Sequence, residues 1–183
     1  MNEKEKPRLQ RIRPARLEEL PQILAIYRAA RIFMKESGNP TQWGDIETGN
    51  PQPKQVEEDI RQGRSYVFET AEGKIAAVFF YLEGEKVEPT YEKIDGEWIG
   101  SETYGVVHRI ASDGTETGAG RNCLRWAMEQ SGHLRIDTHE NNRPMQHVLG
   151  ELGFTYCGTI LLKNGDPRMA FEWIGKNEEK EHE

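Results

Sequence analysis

Residues 104–130, YGVVHRIASDGTETGAGRNCLRWAMEQ, decide the fold. Tyr104 to Ala111 is rich in β-branched residues and predicts a strand. Gly118 to Gln130 predicts a helix, with Ala119, Cys123 and Ala127 on one stripe and Leu124 and Met128 beside it. Between them Ser112–Arg121 carries Gly114, Gly118 and Gly120. A glycine-rich turn opening a helix leaves backbone N–H groups without intrahelical partners, and with the helix dipole they can hold a phosphate. Two familiar phosphate motifs are excluded. No Lys-Ser/Thr pair follows the glycines, and Cys123 stands where a dinucleotide fingerprint needs its third glycine. Without further context such a turn is also an ordinary helix start.

Working outward, Leu17, Leu20, Leu24 and Tyr27 recur at helical spacing, with Ile23, Ala30 and Met34 widening the stripe. Pro21 is tolerated there because it falls in the first turns. Ser37 to Pro53 is dense in Gly and Pro and reads as a long loop containing Trp43. A short helix over Lys54–Gln62 ends at Gly63. Ser65–Glu69 and Ile75–Leu82 read as a hairpin turning at Glu72-Gly73, and Glu83–Ser101 reads as irregular. Beyond the quoted segment come a strand over Leu134–Thr138 and a helix through Met145, Val148, Leu149 and Leu152. A final hairpin, Phe154–Leu162 with Met169–Trp173, turns at Asn164-Gly165-Asp166. The order predicts an α/β chain of the α+β type: a mixed, mostly antiparallel central sheet with helices on both faces and one parallel crossover.

The 183-residue length and unbroken patterning predict one domain over 9–174, with disordered tails at 1–8 and 175–183. Net charge is −7, from 31 acidic against 24 basic residues, the opposite of a nucleic-acid-binding footprint. No apolar run reaches the ~20 residues of a membrane span, and the charged N-terminus lacks the apolar stretch of a signal peptide. The expectation is a cytoplasmic protein without nucleic-acid or membrane partners. Cys123 and Cys157, the only cysteines, read as reduced core thiols. No His/Cys pair has zinc-like spacing, so no metal is expected.

Val106-Val107-His108-Arg109-Ile110-Ala111, the glycine loop, and Ile136-Asp137-Thr138-His139-Glu140-Asn141-Asn142 followed by Leu149-Gly150-Glu151-Leu152-Gly153-Phe154 stand in a telling order. In that arrangement the chain resembles the GNAT N-acetyltransferases, from about residue 10 to 174. The resemblance implies the acyl-CoA N-acyltransferase fold, whose parallel strand pair is splayed. It also implies acetyl-CoA as cosubstrate, an amine-bearing acceptor, and a dimer as one known assembly of relatives. The family's coenzyme-binding positions fall on Ile110 and Ala111, which pair with the pantetheine arm. They continue through Thr115, Glu116, Thr117, Gly118, Ala119, Gly120 and Arg121, at the pyrophosphate, and Asn142, near the thiol. Two departures stand out: Thr115 occupies an Arg/Gln position, and Leu149 occupies the place of a frequent thiolate-protonating Tyr.

An amine with a lysine-like pKa near about 10.4 is mostly protonated at neutral pH, so the chemistry calls for a base. His108 is the leading candidate, with Tyr104 orienting a water; Glu102 and His139 are weaker. Trp43, Tyr91, Trp98 and His139 are candidates to line the acceptor side, although the aromatics also suit plain packing. The expected function is acetyl transfer from acetyl-CoA to a primary amine of a small molecule, peptide or protein, by direct attack in a ternary complex. A non-catalytic acyl-CoA-binding module remains the alternative. In a further reading the glycine loop only caps a helix.

Overall fold

The structure is a computed structural model that describes residues 11–175. The tails expected at 1–8 and 175–183 lie, Gly175 apart, outside the described residues. Among the described residues eight strands form a mostly antiparallel sheet with one parallel pair, accompanied by four α-helices. The chain divides into two compact units. Among the described residues, one comprises 11–81 with Val107–Trp126, the other Leu82–Val106 with 127–175.

In the first unit, β1 (Ile12–Pro14) pairs antiparallel with β2 (Ser65–Glu69), and β2 with β3 (Ile75–Glu85) in the register Val67↔Val78. The turn expected at Glu72-Gly73 forms, with Thr70 N–H donating to the Lys74 carbonyl and Gly73 at φ +78°. α1 (Leu20–Glu36) and α2 (Pro53–Arg61) bury Ile23, Ile26, Tyr27, Ala30, Val56 and Ile60 against Val67, Val78 and Ala111. Leu17 corrects the expected stripe. It lies in a 3₁₀ turn, Leu17–Glu19, and is 38% exposed. A 3₁₀ turn has three residues per turn against 3.6, so Leu17 falls out of phase with the buried face of α1. β1 carries no signal of its own, because three residues are too few to show alternation and Pro14 suits only an edge strand. From α3 (Ala119–Ser131), Trp126 packs on the rings of Tyr66, Phe79 and Tyr81 at 4.8–5.6 Å.

In the second unit, the start of β5 (Thr103–Ser112) runs parallel to β6 (His133–Thr138) through Gly105↔Leu134 and Val106↔Arg135. β6 pairs antiparallel with β8 (Pro167–Ile174), and β8 with β7 (Thr155–Leu161). α4 (Arg143–Glu151) follows β6. The stretch read as irregular, Glu83–Ser101, is more ordered than its polarity suggests. β3 continues to Glu85, a 3₁₀ turn forms at Pro89–Tyr91, and β4 (Asp95–Gly96) joins β7. That pairing depends on two glycines, since a Cβ on Gly96 would strike the Cys157 carbonyl and one on Gly158 the Asp95 carbonyl.

The rest of this segment is held by distant side chains. Tyr91 donates its hydroxyl to Asp137 at 2.6 Å, and the Trp98 indole N–H donates to the Tyr91 carbonyl at 2.8 Å. The N–H groups of Ile99 and Gly100 donate to Glu172, at 2.6 and 3.1 Å. Glu172, 1% exposed, also accepts from Arg135 Nε and meets His133 Nε2, each at 2.7 Å. The Arg135 guanidinium lies 4.4 Å from the ring centres of both Trp98 and Tyr104. Burial alone would raise the Glu172 pKa. The bonds from His133, Arg135 and the Ile99 N–H outweigh it and bring the carboxyl down to about 2.

A carboxyl whose folded pKa is depressed stabilises the fold above its unfolded value and loses that contribution as pH falls toward the folded one. Stability is therefore expected to decline from about pH 4.5 toward about 2, which acid unfolding followed by circular dichroism would show. Glu172→Gln should flatten that limb and destabilise the protein by about 3–5 kcal/mol at neutral pH, since it strands Arg135 in the interior.

Candidate functional site

The glycine loop belongs wholly to the first unit. Asp113 enters it with its N–H on the Ala76 carbonyl at 3.1 Å. Its carboxylate then turns back on the chain, accepting the Thr115 N–H at 2.9 Å and the Thr115 hydroxyl at 2.6 Å. Gly114 and Gly118 have φ of +78° and +77°, the left-handed region that a side chain resists. A Cβ placed at Gly114, Gly118 or Gly120 would meet no atom within 4 Å, so the space over these glycines is open. Ala119 is buried and roots the first turn of α3, where the Asn122 N–H reaches the Gly118 carbonyl at 2.9 Å. Glu116, Gly120 and Arg121 are half-buried, and Thr115 and Thr117 are exposed.

Cys123 is fully buried at the next turn, and burial raises its thiol far above the ordinary range. Cys157 is also buried and is raised to about 11. Both are free thiols packed in the interior, as the patterning suggests.

Ile110 and Ala111 lead into the loop, Ala111 buried in the core of the first unit. His108 is half-buried, its ring 5.7 Å from that of Phe80. Trp43 packs edge-on against Tyr27 at 5.7 Å and belongs to the rim of the same core. Its loop is wrapped around Arg31, which is 8% exposed and donates to the carbonyls of Ile46 and Asn50 at 2.8 and 3.2 Å. The first unit thus holds the glycine loop, Ile110, Ala111, His108 and Trp43.

The second unit holds the remaining candidates. Tyr104 is buried, its hydroxyl accepting the Glu88 N–H at 3.2 Å; burial raises its phenol above the ordinary value, which suits a donor and not a base. Tyr91 and Trp98 stack near it, with Tyr91 1% exposed and Trp98 half-buried. Glu102 makes a surface ion pair with Lys86 at 3.3 Å. Asn142 caps α4 by accepting the Met145 N–H at 3.2 Å, and Leu149 is fully buried within that helix. His139 accepts the Asn141 N–H through Nδ1 at 3.0 Å. Asp137 accepts the Tyr91 hydroxyl and Arg135 donates to Glu172.

Three residues escape a reading of sequence alone: Tyr27, Asp59 and Arg109. Arg109 has φ +51° inside a strand, its carbonyl accepts the Tyr27 hydroxyl at 2.8 Å, and its guanidinium chelates Asp59. An Arg in a β-rich run carries no local sign of a left-handed backbone. Among the described residues no cluster of His, Cys, Asp and Glu could hold a metal ion, and no helix is long and apolar enough to cross a membrane.

No protein-family model matches the chain, and no curated protein does. Among solved structures it is similar to a GNAT-family acetyltransferase from Streptococcus agalactiae, at 31% identity over 91% of this chain and 95% of that one, with a TM-score of 0.80. A GNAT-family acetyltransferase from Listeria monocytogenes shares the fold at 23% identity, covering 88% and 92% of the two chains with a TM-score of 0.63. So does the ribosomal-protein-alanine N-acetyltransferase of Brucella melitensis, at 21% identity over 89% and 98%, TM-score 0.55. This chain belongs to the GNAT family of acetyltransferases.

His139 offers a direct check on this geometry. Burial, and then the charge of Arg168, lower its pKa below the ordinary value. A nuclear magnetic resonance titration should find His139 neutral at pH 7, and Arg168→Gln should raise its midpoint.

Proposed function

We propose that this chain transfers an acetyl group from acetyl-CoA to a primary amine on a small molecule, peptide or protein. The observation that carries the reading is the open glycine turn at the start of α3, in a chain that belongs to an acetyltransferase family. The turn fits an extended diphosphate, because two left-handed glycines and an uncrowded Gly120 let the backbone come close to an anion. Residues 9–174 act as one catalytic domain in this reading, in the cytoplasm, without a metal.

Bound acetyl-CoA supplies the acyl group as a thioester. The backbone of Ile110 and Ala111 pairs with its pantetheine arm, and Thr115–Arg121 hold the pyrophosphate, Arg121 adding positive charge. Asn142 orients the thiol end. The Asp113 carboxylate works against this, since it occupies the Thr115 N–H and adds negative charge at the loop entrance. His108 takes the proton of the incoming ammonium, directly or through a water that Tyr104 helps to orient. The Ile110 N–H stabilises the oxygen of the attacked carbonyl. Trp43, Tyr91, Trp98 and His139 shape the acceptor side, Tyr91 through packing.

Leu149, an apolar side chain, cannot protonate the departing thiolate. An ordinary thiol has a pKa near about 8.5, so departure as the thiolate is tolerable near neutrality. Leu149 and the engaged Thr115 are what favour the competing reading, an acyl-CoA-binding module without turnover.

Coenzyme A at a hundredfold excess over its dissociation constant should stabilise the protein by about 2.7 kcal/mol, a clear rise in melting temperature. Gly120→Val should abolish that rise while folding normally, because its side chain enters open space. An undiminished shift in the variant would move the phosphate site elsewhere.

His108→Ala should lower kcat with an active amine by about 10²-fold or more while leaving coenzyme A affinity unchanged. Full turnover in that variant would rule His108 out as the base. Absence of turnover in the parent, with coenzyme A bound, would favour the binding module.

A further inference from the structure

Among the described residues, only Lys86 and Arg109 are non-glycines with a positive φ. Lys86 sits at the end of a strand, where such conformations are common, but Arg109 lies inside β5. A left-handed backbone disfavours any residue with a Cβ, so other interactions must hold it. Two do, from opposite ends of the residue. The Tyr27 hydroxyl on α1 donates to the Arg109 carbonyl at 2.8 Å. Arg109 Nε and Nη2 donate to the two oxygens of Asp59 on α2, each at 3.0 Å. The guanidinium also lies 4.7 Å from the centre of the Phe80 ring, and Asp59, its side chain 5% exposed, takes a further bond from Gln55. Tyr27 is 2% exposed, and burial keeps its phenol protonated and able to donate.

The consequence lies one bond further along the chain. A trans peptide is planar, so the Arg109 carbonyl and the Ile110 N–H point in opposite directions. Anchoring the carbonyl on Tyr27 therefore sets the direction of the Ile110 N–H. The Asp113 N–H reaches Ala76 on β3, and alternation along the extended strand puts the Ile110 N–H on the other edge. We infer that Tyr27 and Arg109, backed by Asp59, are positioning residues that aim the Ile110 N–H at the thioester oxygen where negative charge develops. The inference rests on the acetyl-transfer reading above. It adds that two helices, and not the strand alone, set the aim. In the transfer itself the amine nitrogen forms the bond to the acyl carbon and the carbon–sulfur bond breaks. The sulfur leaves with the electron pair and the nitrogen gives up a proton; none of the three residues exchanges a proton.

Tyr27→Phe removes only the hydroxyl and keeps the ring, with its edge contact to Trp43. It should lower kcat by about 10- to 100-fold, less than outright loss of an oxyanion donor and up to the cost of misplacing a group by about 1 Å. KM for acetyl-CoA and the melting shift with coenzyme A should change far less than kcat, because the glycine loop is untouched and the aimed N–H meets the negative charge only in the transition state. Arg109→Ala and Arg109→Gly provide the decisive pair. Both lose the Asp59 ion pair, but only glycine adopts a positive φ without penalty. Arg109→Gly should keep at least about tenfold more kcat than Arg109→Ala.

Equal kcat in those two variants, or parent kcat in Tyr27→Phe, overturns the inference. Crystal structures of the two Arg109 variants separate it from the reading beneath it. Residue 109 should stay left-handed with glycine and turn extended with alanine; a left-handed alanine overturns the clamp. A parent that acetylates no amine overturns the acetyl-transfer reading, while the clamp is still judged by those two structures.

Discussion

Asp59 carries its charge in a nearly closed environment on α2, and the Arg109 guanidinium meets it with two parallel bonds. Removing Arg109 would strand the Asp59 carboxylate, 5% exposed, without its partner, which typically costs about 3–5 kcal/mol. Much of the first unit takes its shape from this pair. It ties α2 to β5, and it fixes Arg109 in a conformation the strand would otherwise reject. With the Tyr27 hydroxyl at the carbonyl, it also ties α1 to the same residue. The glycine loop and the start of α3 follow directly in the chain, so the anion-binding backbone begins from a strand whose course is already set.

The second unit solves a similar problem in the same way. Its segment 98–103 has little regular structure and presents backbone N–H groups that need acceptors. Glu172 supplies one acceptor for two of them, and Arg135 donates to the carbonyls of Gly100 and Ser101. The Arg135 face is stacked between Trp98 and Tyr104, so the charge is both paired and shielded. In each unit a buried carboxylate–arginine pair organises backbone that periodicity does not. Such pairs contribute little net stability when compared with apolar packing, but they have few alternative arrangements.

Much of the fold is legible in the chain because its signals are local. Gly63, Gly73 and Gly153 end helices or turn hairpins at the expected places, each with a positive φ. The helices fall within a few residues of their expected bounds, since apolar spacing and capping act over a single turn. The exceptions have identifiable causes. Leu17 was displaced by a change in helix type, β1 is three residues long, and β4 exists only because two glycines allow two backbones to meet.

Beyond the expectation of a coenzyme-binding acetyltransferase, which came from a family resemblance, the sequence by itself determined the order of elements and the glycine turn at the head of α3. Those properties rest on interactions between near neighbours: strand alternation, helical spacing and the freedom of glycine to take a positive φ. Only the tertiary structure decided that Arg109 is left-handed, that Tyr27 and Asp59 hold it, and that Glu172 gathers the 98–103 segment. The reason is distance along the chain. Tyr27 and Asp59 lie 82 and 50 residues from Arg109, and Ile99 lies 73 from Glu172. A residue's own neighbours record nothing of a partner that far away, and its conformation is settled only when folding brings the two together.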